Sequence, residues 1–345
     1  MTHHTTKILA VLALCAFGSA PPHLALAQNE LAQKVSPQAT TVRIGFFPNV
    51  THAPALVAYE EGYYTQEITG VKVDVKEFVS GTTLSEAFAA GALDIGLIGP
   101  GPAINAAAKE LPIQMIAGVS QAGAVLIARQ GSGIQSAKDL AGKRVAVPSL
   151  GNSQDIILRA LLASENLKAQ DNGGDVVISS VPPADVANAF ANKQLDAALL
   201  PEPWGALLQA QGNEIVGDEK TLWRGGDYPA AVVIVNIKFA QANPEIVKEF
   251  LTAHMRAIKF INTSPELAEA SVAKALLELA NQKLDPQVLK TALLRTPITA
   301  DLNMEALKAF GQLSVDAGYT RRLPDFERLV NLTPLQEVAS AMATK

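Results

Sequence analysis

From residue 41 onward, short apolar runs alternate with longer stretches whose apolar positions recur at helical spacing. Residues 42–47 read as a strand, 54–61 as a helix stopped by Gly62, and 71–78 (VKVDVKEF) alternate with period two as a second strand. In SGTTLSEAFAAG, Thr82 or Thr83 is placed to cap a helix that Gly91 ends, with Glu86 in capping-box position. A buried strand is predicted at 95–98, a helix from near Pro102, and further strands at 113–119 and 123–129. The alternation then resumes. Ser136 caps a short helix, followed by a strand at 144–147, a long helix at 154–163, a strand at 176–181, a helix at 185–192 and a strand at 196–200. PEPWGALLQAQG is a loop feeding a helix, and the β-branched run YPAAVVIVN (228–236) is a strand that returns the chain to its first half. Beyond Pro244 the pattern is helical: 245–261, 265–281, 286–295 and 304–317. Strands alternating with helices of this length predict an α/β fold with parallel sheets covered on both faces.

Part of the pattern occurs twice. AFAAGALDIGLIGP, from Ala87, aligns with AFANKQLDAALLPE, from Ala189, matching Phe88 to Phe190, Leu93 to Leu195, Asp94 to Asp196 and Leu97 to Leu199. Upstream of each, RIGFFPNVTHAPALVAYEEGYY (from Arg43) shares its outline with RVAVPSLGNSQDIILRALLASENL (from Arg144). Two registers at nearly the same offset predict two lobes of similar topology. Within the first copy, LDIGLIGPGP sets a strand end against a helix start. The N–H groups of Gly101, Ala103 and Ile104 are expected to be unpaired there, at the positive end of a helix dipole where an anion is at home.

A chain of 345 residues has room for two domains, and 48% hydrophobic with 18% charged residues is a globular composition. The net charge of −5 argues against nucleic acid, which calls for a basic face, but leaves a small anion open. Lys7, an apolar run at 8–17, GSAPP and then Ala25-Leu26-Ala27 form an export signal (1–27) expected to be cut after Ala27. Residues 28–41 then read as a polar, flexible tether. A lipid anchor on Cys15 is the weaker alternative, because Leu14 is bulky where such a signal takes a small residue. Cleavage removes Cys15 and leaves His52 and His254 as the histidines, which excludes disulfides, thiol catalysis and a Cys-based metal site. No metal or cofactor is expected.

Five blocks in order carry a family resemblance: RIGFFPNVTHAPALVAYEEGYY, FVSGTTLSEAFAAGALDIGLIGPGPAINA, SAKDLAGKRVAVPSLGNSQD, VPPADVANAFANKQLDAALLPEPW and the crossing segment at Tyr228. Together they resemble the substrate-binding proteins of ATP-binding-cassette importers for nitrate, taurine and aliphatic sulfonates. The resemblance implies a two-lobe type II periplasmic binding protein fold with a helical C-terminal tail. Lobe 1 would comprise 42–127 and 228–345, and lobe 2 would comprise 128–227. It further implies a periplasmic monomer that is not an enzyme, holds a small oxyanion in the interlobe cleft and docks on a membrane permease. General similarity to the sulfonate members favours an alkanesulfonate, taurine or a sulfate ester. Nitrate, bicarbonate, a thiamine-pyrimidine precursor, or an enzyme on the same fold are the alternatives.

Open α/β sheets bind ligands at the carboxyl ends of their strands, and in two lobes those ends face each other. The candidates follow from that rule. Asn49, Thr51 and His52 offer an amide, a hydroxyl and an imidazole after the first strand, or cap the helix at Pro54. Ser80, Gly81, Thr82 and Thr83 stand at a helix start and offer hydroxyls and free N–H groups, with Thr82 facing the ligand and Thr83 capping. Gly101 and Pro102 open the next helix, and Gln121 is a contact or part of a hinge. In the second lobe, Gly151, Asn152 and Ser153, with Gln154, allow close backbone approach and offer donors. Trp204 presents an indole N–H, while Glu202 suits a zwitterion such as taurine or a bond to the other lobe. Tyr228 is placed to reach in with its hydroxyl, and Arg224 is the one bidentate cation considered, in a solvated loop. His254 reads as core edge. With no basic cluster in view, neutral donors and helix ends are expected to hold the anion.

Overall fold

In the computed structural model, which describes residues 39–344, the alternation builds two five-stranded sheets. The expected export signal (1–27, with Cys15 and Ala27) and residues 28–38 of the tether lie outside the described residues. Thr41, assigned to the tether, already belongs to the first strand. The first sheet has the order β2-β1-β3-β10-β4, from β1 (Thr41–Phe46), β2 (Lys72–Glu77), β3 (Ile95–Ile98), β4 (Ile113–Gln121) and β10 (Pro229–Asn236). The second has the order β7-β6-β8-β5-β9, from β5 (Ala124–Ala128), β6 (Arg144–Val147), β7 (Val177–Ser180), β8 (Ala197–Pro201) and β9 (Glu214–Asp218).

Neither sheet is wholly parallel. β10 runs antiparallel to β3 and β4, and β5 runs antiparallel to β8 and β9. The cause is topological. β4 leaves the first sheet at its carboxyl edge and passes through Ala122 and Gly123 straight into the carboxyl edge of the second. A strand that enters at that edge must run against its neighbours. β5 therefore belongs to the second sheet, and the crossing lies before Ala124 and not after Ile127, where the sequence pattern set it. Ala122 and Gly123 both adopt positive φ (51° and 74°) at this reversal. Ala122 N–H donates to the Tyr228 carbonyl (3.3 Å), tying the two crossings together. β9 was not anticipated because GNEIVGD is polar and partly exposed, as an edge strand is.

The helices that matter here are α1 (Ala53–Glu60), α2 (Gly81–Ala89), α3 (Pro100–Ala108), α4 (Ser153–Ser164) and α5 (Trp204–Ala210), followed by the C-terminal α6 (Pro244–Thr263), α7 (Pro265–Ala280), α8 (Pro286–Leu294), α9 (Met304–Asp316) and α10 (Thr333–Ala343). In α6, Val247, Phe250, Leu251, His254, Ala257, Ile258 and Ile261 recur at helical spacing and are buried, which fixes the face that packs on α1. The tail also serves as a third link between the lobes. Gln121 N–H donates to Pro297 O (2.8 Å) and Gly118 N–H to Ala300 O (2.7 Å), so residues 297–300 lie along β4. A β-carbon on Gly118 would sit 2.3 Å from Asp301 O. From there α8 packs on α5, and α9 packs on both α3 and α4.

The sequence repeat has one physical counterpart in both lobes. Asp94 accepts from Arg43 through the backbone N–H (2.8 Å), Nε (2.9 Å) and Nη2 (2.6 Å). Asp196 accepts from Arg144 through the same three groups, each at 3.0 Å. Each clasp ties the start of a lobe's first parallel strand to the residue before its third, and so sets the register Ile44↔Ile95 and Val145↔Ala197. The Arg144 guanidinium holds the Asp196 carboxyl down to about 2. Asp94→Asn and Asp196→Asn, each measured by urea unfolding at pH 7, should destabilise by about 2–3 kcal/mol, the loss expected for hydrogen bonds to a charged group.

Candidate functional site

The carboxyl ends of β1, β2 and β3 face those of β6, β7 and β8 across a cavity of about 50 Å³. Phe47, Asn49, Thr51 and His52 reach it from β1, and Val79, Ser80 and Gly81 from β2. Gly99 and Pro102 reach it from β3, and Pro148, Asn152, Ser153 and Gln154 from β6. Pro183 and Pro201 follow β7 and β8, and Ala230 of β10 completes the wall. None of these side chains carries a fixed charge. The amino-terminal ends of α1, α2, α3 and α4 all open on this space, so the positive ends of four helix dipoles meet there.

The polar groups are held in defined orientations. Thr51 Oγ1 donates to Asn49 Oδ1 (2.7 Å), which leaves the Asn49 amide nitrogen as a donor. Ser120 Oγ, from β4, donates to the Thr51 carbonyl (2.7 Å) and fixes this loop. His52 is buried against Phe47, with ring centroids 4.5 Å apart, and its Nδ1 accepts the Phe47 N–H (3.4 Å). The proton therefore resides on Nε2, which makes no hydrogen bond among the described residues. Burial pushes the His52 pKa down to about 3, so the ring is neutral. Asn152 caps α4 by accepting the Asp155 N–H (2.9 Å), and its amide donates to Gln154 Oε1 (3.1 Å).

The lobes are in contact. Val50 N–H donates to Glu202 O (3.1 Å), Gly101 N–H to Ser153 Oγ (3.3 Å), and Asn105 Nδ2 to Gly151 O (3.3 Å). A β-carbon on Gly99 would lie 2.5 Å from Ser153 Oγ, and one on Gly101 would lie 2.7 Å from Ile156 Cδ1. A glycine makes this approach without displacing either side chain. The helix α3 begins at Pro100, two residues before its expected start. As a result, Ala103 N–H pairs with Gly99 O (3.3 Å) and Gly101 N–H with Ser153, so these two of the three amides expected to be free are engaged.

Nine of the sequence candidates line the cavity: Asn49, Thr51, His52, Ser80, Gly81, Pro102, Asn152, Ser153 and Gln154. Ser80, not Thr82 or Thr83, caps α2, accepting the Thr83 N–H at 3.3 Å. Others lie elsewhere. Thr82 and Gly151 line an outer groove of about 480 Å³ beside Leu150 and Tyr319. Gln121 sits at the crossing. Trp204 packs into the small core of the second lobe, and Tyr228 is buried between Trp223 (4.7 Å) and Phe310 (6.4 Å), away from the cavity wall. Arg224 pairs with Glu305 (2.9 Å). Glu202 is fully buried with its carboxylate turned under α5, where it accepts from Ala206 N–H (2.8 Å) and from Arg295 at the end of α8 (2.9 Å). Burial pushes the Glu202 pKa up, opposed by these two partners. The prolines 148, 183 and 201, with Phe47, Val79, Gly99 and Ala230, went unselected. Their one signal was position, directly after a predicted strand or at the start of a returning one.

Comparison with known proteins agrees with this architecture. Residues 36–277 match the model of one family. The chain belongs to the NMT1-like family. This NMT1-like protein is 28% identical to the taurine-binding periplasmic protein of Escherichia coli K12, over 67% of the chain and 70% of that relative. Its fold is similar to that of the alkanesulfonate-binding protein SsuA of Xanthomonas axonopodis pv. citri bound to MOPS, with a TM-score of 0.72 at 23% identity, covering 86% of this chain and 99% of the other. It is also similar to the periplasmic nitrate-binding protein NrtA of Synechocystis PCC 6803, with a TM-score of 0.73 at 18% identity, covering 90% and 91%. The NMT1-like chain therefore has the type II periplasmic binding protein fold, with two lobes and C-terminal helices.

The second histidine of the described chain is also buried. His254 on α6 donates through Nε2 to Gly118 O (2.8 Å), and burial pushes its pKa down to about 4. In the unfolded chain both rings titrate near 6.5. The unfolded state thus binds more protons below that value. The stability that the neutral rings allow is complete above pH 6.5 and is lost as the pH falls towards 4. Urea unfolding between pH 7 and 5 should show a decline approaching ~1.4 kcal/mol per pH unit for each histidine. His254→Gln should remove about half of that slope.

Proposed function

We propose that this protein is the extracytoplasmic solute-binding component of an ATP-driven importer, and that the cavity between its lobes captures a small oxyanion. The observation that carries the reading is the convergence of strand ends and helix N-termini from both sheets on one space whose walls set hydroxyls, amides and an imidazole among prolines and carry no fixed charge. Neutral donors and amide dipoles there stabilise an oxyanion and disfavour a cation. The relatives named for taurine and nitrate support the same ligand class. A ligand that touches both lobes stabilises the closed form over the open one, and that form is the one offered to a membrane permease. Export to the periplasm fits this role and the company of its relatives.

The cavity also selects within the class. Its volume of about 50 Å³ suits a compact head group, which keeps nitrate and bicarbonate beside the short sulfonates. No carboxylate lines it, since Glu202 is held by Arg295 and Ala206. An ammonium group therefore finds no partner. Calorimetry and thermal-shift measurements with nitrate, methanesulfonate, ethanesulfonate and taurine test this. At a hundredfold excess over its Kd, a true ligand adds about 2.7 kcal/mol of stability. Ethanesulfonate should bind roughly tenfold or more tightly than taurine, about 1.4 kcal/mol for a buried ammonium left unpaired. Taurine binding as well or better would show that an amine is recognised, and no response to any of these anions would remove the ligand class altogether.

A further inference from the structure

We infer that the anion enters with a proton, which His52 takes up as the ligand binds, so that the imidazolium supplies the countercharge the cavity lacks. This rests on the oxyanion reading and goes beyond it in assigning the charge balance to one residue. His52 is 1% exposed and lines the cavity. Its Nδ1 is committed to the Phe47 N–H, and Nε2 has no partner among the described residues. That nitrogen already bears a proton and donates to an oxyanion as it stands. Once an anion accepts from it, the second proton goes to Nδ1, whose Phe47 contact is long enough (3.4 Å) to yield by a small ring movement.

The surroundings leave His52 alone in this role. The elements packed around it present Asn49 and Thr51 from its own loop, Ser80 and Gly81 from α2, and Asn152, Ser153 and Gln154 from α4, none of them titratable near neutral pH. The nearest carboxylates in sequence to the wall are already satisfied. Glu202 pairs with Arg295. Asp155 pairs with Arg159 (3.0 Å) and accepts from Gly151 N–H (2.7 Å) and the Tyr319 hydroxyl. Desolvation is the single cause that depresses the His52 pKa, with no charge contributing. A ligand anion in contact adds the one missing influence, and it acts upward.

The test is calorimetric titration of the full-length protein with ethanesulfonate and with nitrate, both anionic throughout, between pH 5.5 and 8.0. Each pH is measured in two buffers of different ionisation enthalpy. Affinity should tighten as the pH falls, approaching about tenfold per pH unit, with uptake approaching one proton per ligand. His52→Gln, which keeps a donor near Nε2 but cannot ionise, should bind more weakly at low pH than the wild type and lose both the pH dependence and the proton uptake. His254→Gln should keep them. Should His52→Gln fail to fold, ¹⁵N NMR of the wild-type imidazoles decides: saturation with ethanesulfonate at pH 6 should convert one neutral ring to the imidazolium pattern. Tight binding that is independent of pH, without proton exchange and with every ring unchanged, overturns the inference and leaves the oxyanion reading intact. Absence of binding by either anion at every pH overturns both.

Discussion

Two sheets turn their carboxyl edges towards one gap, and most of the molecule follows from that arrangement. A strand that crosses directly from one such edge to the other has to enter its new sheet in the reverse sense. This makes β5 and β10 the antiparallel members of otherwise parallel sheets. The helices that follow the parallel strands start at the same edge, so the positive ends of their dipoles point inward. The Arg43–Asp94 and Arg144–Asp196 clasps hold the opposite ends of these strands and keep the edges aligned. A favourable potential for an anion is thus generated by topology, before any side chain is chosen.

The charged groups near the gap are paired off behind it. Glu202 with Arg295 and Asp155 with Arg159 bury their charges against one another and in both cases tie in the C-terminal tail, through Arg295 itself and through Tyr319. Breaking such pairs is costly because an unpaired charge would remain buried. The arrangement therefore does two things. It binds the tail to the second lobe and leaves the cavity wall neutral, its polar groups being hydroxyls, amides and one imidazole.

How much of this was readable from the chain depended on distance in sequence. The two lobes were legible because Arg43, Asp94, Arg144 and Asp196 recur in a spaced pattern, and a bidentate clasp needs those residue types at those strand ends. Asn49, Thr51, His52, Asn152 and Ser153 were legible because each directly follows a strand. Thr82 was not, since one residue along a helix turns a side chain through about 100°, from the cavity to the outer groove. Tyr228 and Trp204 lie off the cavity wall because an aromatic at a strand end is equally suited to a core, and packing against Phe310 or the small second-lobe core decides. The partner of Glu202 lies 93 residues away in a helix with no local sign of its destination. The small aliphatic wall of prolines carried no chemistry to attract notice.

Gly99 and Gly101 face Ser153 and Ile156 at distances where a β-carbon would push the Ser153 hydroxyl or the Ile156 methyl aside. These two missing methyl groups let the lobes lie flush along this seam, with the Ser153 hydroxyl and the Ile156 terminal methyl as the parts that can give. An alanine at either point would be a soft wedge, taken up first by rotation of one of those side chains and only then by parting of the lobes.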